Sequence, residues 1–147
     1  MYLPGGYPEL HAGRLAGNAR FLDGLRAAAG AGAAVLGECG GYMTLGQGLV
    51  DAEGARHAMA GLLGLECSFA RRRLHLGYRR ARLAADGPLG PAGTGFRGHE
   101  FHFATILETG PAQPLFLCRD AGDAELPPAG ELRGRVAGSF LHLIDRA

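Results

Sequence analysis

The feature that most constrains this chain is a cysteine flanked by glycines directly after a short apolar run. Residues 33–36 read Ala-Ala-Val-Leu, and residues 37–41 read Gly-Glu-Cys-Gly-Gly. Glycines two residues either side of Cys39 permit a very tight strand-to-helix turn, because the missing Cβ atoms let neighbouring backbone approach. The pattern predicts a nucleophile elbow with Cys39 as the catalytic thiol. The alternative is a buried cysteine in a glycine-rich loop, since glycine makes up 26 of the 147 residues.

Two features indicate how such a thiol would be activated. Residues 42–49 are predicted to form a helix, and a thiol at a helix N-terminus is stabilised as thiolate by the helix dipole. A cysteine nucleophile also needs a base, which a sequence-distant histidine can supply. Among the six histidines, His142 in Gly-Ser-Phe-Leu-His (residues 138–142) is the best placed, because strand ends carry catalytic groups in open α/β sheets.

The order of predicted elements indicates an α/β fold. A helix is predicted over residues 10–29, and strands over 33–36, 62–69, 74–83, 98–107, 115–118 and 135–141. Residues 87–95 and 121–130 are predicted to be turn or loop. A strand–helix–strand start followed by consecutive strands predicts an α/β sheet with an antiparallel extension. The length indicates a single domain.

Composition limits the classes of binding partner and the cellular compartment that we expect for the chain. The net charge is +1, and the one basic cluster, Arg71-Arg72-Arg73, is expected to be a solvated loop or strand end, so no nucleic-acid partner is indicated. No apolar run approaches the ~20 residues of a membrane span, so no membrane partner is expected. The odd number and wide spacing of Cys39, Cys67 and Cys118 favour a reducing, cytoplasmic setting. Cys67 and Cys118 lie in apolar runs and are expected to be core thiols.

Two further motifs carry polar chemistry. Gly5-Gly6, after the first strand residues, can offer backbone N–H groups to an oxyanion, although an ordinary turn is the alternative. Residues 98–102 read Gly-His-Glu-Phe-His, which lacks the spacing of the helical zinc motif. On a strand, Glu100 and His102 share a face. We therefore expect no metal there, and a substrate-lining or structural role for this pair.

Five blocks of sequence together resemble one family. They are residues 2–10 (Tyr-Leu-Pro-Gly-Gly-Tyr-Pro-Glu-Leu), 37–43, 77–79 (Gly-Tyr-Arg), 98–102 and 138–142. In this order and approximate spacing they resemble the C-terminal glutamine amidotransferase domain of the cobyrinic and hydrogenobyrinic acid a,c-diamide synthases. Glu38 and the 98–102 block are closer to these enzymes than to cobyric acid synthases, and nickel-sirohydrochlorin diamide synthases have similar patterns. The resemblance implies a class I amidotransferase-like, flavodoxin-like sheet.

The resemblance also implies an activity. Cys39 would attack the side-chain amide of L-glutamine, His142 would activate Cys39, and the N–H groups of Gly6 and Gly40 would stabilise the oxyanion. The ammonia would pass to a separate synthetase site, where ATP and Mg²⁺ activate the a- and c-acetate carboxylates of a corrinoid. The resemblance implies no cofactor in this chain itself, and it leaves a homodimer open for the full enzyme.

The chain departs from the common class I amidotransferase pattern at a position close to His142. Many class I amidotransferases carry a glutamate two residues after the catalytic histidine, and Ile144 stands there in this chain. The branch that the chain resembles also lacks that glutamate, so a Cys–His pair is expected. Glu100 and Asp145 are the candidates for orienting His142.

A second departure concerns the extent of the domain. The chain has no Gly-x-x-x-x-Gly-Lys-Ser/Thr phosphate-binding loop, and residues 1–3 look like the end of a strand rather than its start. We therefore expect residues 1–147 to be a partial class I glutamine amidotransferase domain that misses its opening strands. ATP and Mg²⁺ would bind a missing N-terminal domain. A non-catalytic fragment and an independent cysteine hydrolase of similar fold are the alternatives.

Overall fold

A computed structural model of the chain describes residues 1–147. It contains a 3-10 helix at Pro8–His11 and the helices α1 (Ala12–Ala16), α2 (Ala19–Gly30) and α3 (Gly40–Leu45). The strands are β1 (Tyr2–Leu3), β2 (Val35–Glu38), β3 (Gly48–Val50), β4 (Arg56–Ala58), β5 (Glu66–Ser68), β6 (His75–Leu83), β7 (Gly95–His102), β8 (Thr105–Glu108), β9 (Phe116–Arg119), β10 (Glu125–Ala129), β11 (Glu131–Arg133), β12 (Val136–Ser139) and β13 (Leu141–Arg146).

The strands form three sheets. The first has the order β1-β2-β12-β11, in which β1, β2 and β12 are parallel and β11 is antiparallel. The second has the order β10-β9-β6-β7-β13 and is antiparallel throughout. The third, β4-β3-β5-β8, is mixed. The predicted α/β fold with an antiparallel extension is therefore confirmed, and β12 and β13 join the parallel sheet to the antiparallel one.

The long helix predicted over residues 10–29 is interrupted. A 3-10 turn and α1 come first, and a new helix starts after Asn18, whose side chain accepts a hydrogen bond from the Phe21 N–H at 3.1 Å. A side chain that satisfies a free N–H of the first helical turn favours a helix start at that point. Leu22 and Leu25 are the buried residues of α2. The sequence predicted the helical region but not the break within it.

Several strand boundaries differ from the predictions. Residues 98–107 and 135–141 were each predicted as one strand, but each divides between two sheets, as β7 and β8 and as β12 and β13. Hydrophobic patterning does not show where a strand leaves one sheet for another. The predicted helix over 42–49 ends at Leu45, and Leu49 belongs to β3. The predicted loop 121–130 contains β10 on the sheet edge, where its prolines are tolerated.

Other predictions agree more closely with the structure. The strands predicted over 74–83 and 115–118 match β6 and β9 to within one residue at each end. The strand predicted over 62–69 is shortened to β5, and β4 and β11 were not predicted. Cys67 and Cys118 are buried core thiols, as expected, and Arg71-Arg72-Arg73 is exposed. None of the helices combines the length and the apolar character needed to cross a membrane.

A buried carboxylate joins three segments behind α3. All six residues of α3 are buried. The hydroxyl of Tyr42 donates to Glu131 Oε2 at 2.8 Å, while the N–H groups of Gly64 and Gly110 donate to Glu131 Oε1 at 2.9 and 3.2 Å. Glu131 is only 2% exposed. Because a buried polar group without a partner is costly, this network fixes α3 against two loops.

We expect Tyr42→Phe to lower the free energy of unfolding by roughly 1.5–3 kcal/mol, because it removes a hydrogen bond to a buried carboxylate oxygen. Urea unfolding of the variant and the parent chain measures the difference. Tyr78→Phe is the matched control, since Tyr78 is 70% exposed, and its effect should stay within about 0.5 kcal/mol. Equal stabilities of the two variants would contradict the structural role of this network.

Candidate active site

Cys39 occupies the strained turn that the sequence predicts. Its backbone angles are φ 49° and ψ −104°, a region that non-glycine residues rarely adopt. Such a conformation costs on the order of 1–3 kcal/mol and persists only where surrounding contacts hold it. The Cys39 N–H donates to the Ser139 carbonyl at 2.8 Å, and the Cys39 carbonyl accepts from the Met43 N–H at 3.0 Å. The thiol is thereby held between the end of β2 and the start of α3.

The glycines around Cys39 are required by backbone packing. A Cβ atom on Gly37 would lie 2.8 Å from the carbonyl oxygen of Gly41, and one on Gly41 would collide with the Leu3 carbonyl. A Cβ atom on Gly40 would lie 2.7 Å from the Gly6 carbonyl oxygen. The elbow and the loop after β1 are therefore in direct backbone contact. Gly6 and Gly40, the two candidate oxyanion donors, therefore lie next to each other.

A cavity of about 330 Å³ opens in front of Cys39. It brings together residues from the loop after β1, the elbow, the loop before β6, the end of β7 and β13. Its lining residues are Gly5, Gly6, Tyr7, Glu9, Cys39, Met43, Phe69, Phe101, His102, Phe103 and His142. The predicted nucleophile, base and one oxyanion donor thus share one cavity.

Gly5 lies beside the side chains of both Cys39 and His142. A Cβ atom on Gly5 would be 3.0 Å from Cε1 of His142 and 3.8 Å from Cβ of Cys39. Any larger residue would press on the imidazole from the side of the thiol. The Gly5-Gly6 pair is therefore more than an ordinary turn, because Gly5 makes room for the Cys39 and His142 side chains and Gly6 contacts the elbow.

Glu38 orients His142. Nδ1 of His142 lies 3.1 Å from Oε1 of Glu38, and the Leu143 N–H donates to Oε2 of Glu38 at 3.4 Å. When Nδ1 carries the proton that Glu38 accepts, the lone pair of Nε2 is free to act as a base. The sequence-based candidates for this role, Glu100 and Asp145, were wrong. Glu38 is next to Cys39 in the sequence, which was the one sequence signal for this role. Its contact with His142 is visible only in the structure, where the end of β2 lies next to β13.

The carboxylates of Asp145 and Glu100 contact other side chains instead of His142. Asp145 lies 3.6 Å from the Arg97 guanidinium. Glu100 accepts hydrogen bonds from Nη2 of Arg79 at 2.8 Å and faces Nε2 of His102 at 2.9 Å. These hydrogen bonds, first that with His102 and then those from Arg79, lower the pKa of Glu100 to about 2 against the opposing effect of burial. Glu100 is therefore a carboxylate at any ordinary pH.

His102 and His99 support the site from opposite sides of β7. His102 lines the cavity, holds the Ala104 carbonyl through Nδ1 at 2.9 Å and stacks on Phe140 at 3.9 Å between ring centres. His99 pairs with His142 in the strand register and stacks on its ring at 4.9 Å. The predicted shared face of Glu100 and His102 is confirmed by their contact. The stacking of His99 on His142 was not predicted.

One group of side chains could hold a metal ion. The ligand atoms of His75, Glu100 and His102 all lie within 4.8 Å of one another. Both carboxylate oxygens of Glu100, however, already face Arg79 or His102. An ion at this place would have to displace those hydrogen bonds and sit close to a guanidinium, which opposes binding.

The resting thiol differs from the sequence-based expectation. The pKa of Cys39 is raised to about 11: burial is the largest cause, the Glu38 and Glu9 carboxylates add to it, and the Gly40 N–H acts in the lowering direction. The thiolate expected from the helix dipole is therefore not the resting form near neutral pH. α3 has only six residues, and its dipole does not overcome desolvation.

A cysteine on a strained strand-to-helix elbow shares its cavity with a histidine that a carboxylate binds, an arrangement that suits nucleophilic cysteine chemistry on an α/β sheet. A solved structure described as a glutamine amidotransferase has the same fold, with a TM-score of 0.59 and 21% sequence identity. The match covers 96% of this chain and 68% of that one. The chain belongs to the family of CobB/CobQ-like glutamine amidotransferase domains, which matches residues 1–146.

Three similar relatives are described as hydrogenobyrinate a,c-diamide synthases. The chain is 59% identical over 144 residues to the hydrogenobyrinate a,c-diamide synthase of Rhodobacter capsulatus, a match that covers 98% of the chain. It is 55% identical over 151 residues to that of a Sinorhizobium species and 54% identical over 149 residues to that of Rhizobium meliloti, covering 100% and 99% of the chain. The chain spans about a third of the length of these relatives, 33% in each case. The resemblance seen in the sequence blocks is confirmed.

Alkylation of Cys39 by iodoacetamide, without substrate, should be slow at pH 7 and rise about tenfold per pH unit up to pH 10. A thiol with a raised pKa supplies thiolate only as the pH approaches that pKa, here about 11. Mass spectrometry of the modified peptide identifies Cys39, and Cys39→Ser is the control for alkylation at the other cysteines. A rate that is already level between pH 7 and 8 would show a resting thiolate and contradict the burial argument.

Proposed function

We propose that the chain hydrolyses L-glutamine to glutamate and ammonia, with Cys39 as nucleophile and His142 as base. The observation that carries the proposal is the placement of Cys39 on a strained elbow in the same cavity as His142, whose ring is bound by Glu38. The family to which the chain belongs supports glutamine as the amide.

In each step of the proposed reaction, His142 takes up or returns one proton. Nε2 of His142 accepts the Cys39 proton as Sγ attacks the side-chain amide carbon of glutamine. The imidazolium then returns that proton to the amide nitrogen, which leaves as ammonia, and a γ-glutamyl thioester remains on Cys39. A water molecule, deprotonated by His142, attacks the thioester, and glutamate leaves as the thiol is reprotonated. Glu38 stabilises the imidazolium in both halves.

The oxyanion of each tetrahedral intermediate would be bound by backbone N–H groups. The Gly6 N–H donates to no backbone carbonyl of the chain, and Gly6 lines the cavity against Gly40. Gly40 follows Cys39 at the start of α3 and packs on Gly6, so its N–H is the second candidate donor. Each such donor is typically worth about 10²–10³ in rate.

The ammonia would serve an ATP-dependent amidation. The relatives at 54–59% identity are named hydrogenobyrinate a,c-diamide synthases, and the chain matches only a third of their length. We therefore assign the remaining two thirds of such an enzyme to a synthetase portion that binds ATP and Mg²⁺. Its substrate would be hydrogenobyrinic acid, with amidation of the a- and c-acetate carboxylates.

Cys39→Ala should abolish glutamine hydrolysis, because no other thiol reaches the cavity. Glutamate release, measured with a coupled dehydrogenase assay, reports the loss. Cys118→Ala is the matched control, since Cys118 is buried in the second core cluster, and it should retain turnover apart from any loss of stability. In an enzyme that contains the synthetase portion, Cys39→Ala should retain amidation from added ammonia. Turnover by Cys39→Ala would refute the proposed nucleophile.

Glu38→Gln should produce two opposite changes. Glutamine turnover should fall by about 10²-fold or more, because the amide cannot stabilise the imidazolium as a carboxylate does. Alkylation of Cys39 at a fixed alkaline pH should become faster, because the Glu38 charge raises the pKa of Cys39. His142→Asn serves as the reference variant, because it gives the turnover that remains without the proposed base. A parallel fall of turnover and alkylation would indicate a distorted elbow rather than a lost positioning residue.

A further inference from the structure

Glu9 carries the one buried side-chain oxygen or nitrogen atom without a hydrogen-bond partner. This atom is Oε2, and the side chain of Glu9 is 8% exposed. Glu9 lies in the 3-10 helix Pro8–His11, directly after the loop that supplies Gly5 and Gly6. A buried carboxylate oxygen without a partner is costly, so its retention calls for an explanation.

Arg72 does not provide that explanation. Its Nη2 lies 3.9 Å from Oε1 of Glu9, which is too long for a hydrogen bond, and it is on the other oxygen. The guanidinium of Arg72 is instead placed over the Phe103 ring at 5.5 Å, and its side chain is 55% exposed. Burial raises the pKa of Glu9, and its own backbone N–H, Arg72 and His11 oppose this only in part. Arg72 is therefore a long, solvent-exposed ion-pair partner that leaves Oε2 of Glu9 without a hydrogen bond.

The free carboxylate belongs to the cavity of the nucleophile. Glu9 and Cys39 line the same cavity, and the rest of that wall is largely aromatic or apolar, with Met43, Phe69 and Phe103 among its members. The Glu9 charge is close enough to Cys39 to raise the pKa of the thiol. A negative group in a mostly apolar cavity, next to the nucleophile, favours a substrate with a positive charge near its reactive amide.

We propose that Glu9 binds the α-ammonium group of L-glutamine. The inference rests on the proposed hydrolysis and specifies how the amide donor is recognised. The ammonium is a compact cation with three N–H donors, and a short aliphatic chain separates it from the side-chain amide. Because Oε2 has almost no accessible surface, the Glu9 carboxyl group would have to turn toward the cavity that it lines. The ammonium would then supply the missing partner of Glu9 and place the amide carbon toward Cys39. Amides without an α-ammonium would leave that carboxylate unpaired.

The contact between Glu9 and the glutamine ammonium would also make Cys39 easier to deprotonate. Glu9 and Glu38 both raise the pKa of Cys39. An ammonium on Glu9 offsets one of these two charges, so Cys39 would lose its proton more readily once glutamine is in place. The buried thiol would stay unreactive toward other electrophiles until a substrate of the right charge arrives.

The test compares L-glutamine with glutaramic acid, which is glutamine without its α-amino group. For the parent protein, kcat/KM should be roughly 10- to 100-fold higher for glutamine, the range expected for a hydrogen bond to a charged group. In Glu9→Gln the ratio of kcat/KM for glutamine to that for glutaramic acid should shrink to a few-fold, because only glutamine loses the ammonium contact. Glu53→Gln, at an exposed glutamate, is the matched control and should keep the parental preference. Equal losses on both amides in Glu9→Gln would assign Glu9 a structural role and overturn the proposal.

Protection of Cys39 from iodoacetamide separates this inference from the proposed hydrolysis. If neither amide is hydrolysed, the hydrolysis proposal fails, but glutamine should still protect Cys39 at a lower concentration than glutaramic acid does. The parent protein alone gives this result, so the test does not depend on the folding of a variant. Equal protection by the two amides would overturn the role of Glu9, whatever the turnover.

Discussion

The close backbone packing around the elbow is the constraint on which the rest of the site depends. Gly37 packs on Gly41, Gly41 packs on Leu3, and Gly40 packs on Gly6, each at a distance that leaves no room for a Cβ atom. These contacts force α3 against the ends of β1 and β2 and hold Cys39 at φ 49°. Strain at one residue is tolerated because its neighbours have no freedom to relax it. The buried network of Tyr42 and Glu131 fixes the far side of the same helix.

Charge is distributed around the thiol in a way that keeps it inactive at rest. Burial and two carboxylates act against the Cys39 thiolate, and the Gly40 N–H opposes them only in part. Glu38 lies against His142, and a proton on that imidazole would offset its charge. Oε2 of Glu9 has no hydrogen-bond partner within the protein. In the proposed reaction, the transferred proton would offset the first carboxylate and the bound substrate the second.

Local sequence patterns predicted the parts of the site that local backbone geometry determines. The elbow at Cys39 could be predicted because glycine spacing reflects steric demands within a few residues. The role of Glu38 could not, since its contact with His142 joins residues 104 positions apart and depends on where β12 turns into β13. For the same reason, the two strands within residues 98–107 were predicted as one. Burial of the thiol was also invisible from the sequence, so a thiolate was expected where the structure favours a thiol.

The loop between β1 and the 3-10 helix connects these separate features. It supplies Gly5 beside the imidazole, Gly6 against the elbow and, one turn later, Glu9. β1 pairs in parallel with β2 and fixes where the loop begins. The contact of Gly6 with Gly40 fixes the middle of the loop. One glycine-to-glycine contact therefore sets the position of the proposed nucleophile and of the proposed oxyanion donor together, and the carboxylate follows because it is three residues further along the same short segment.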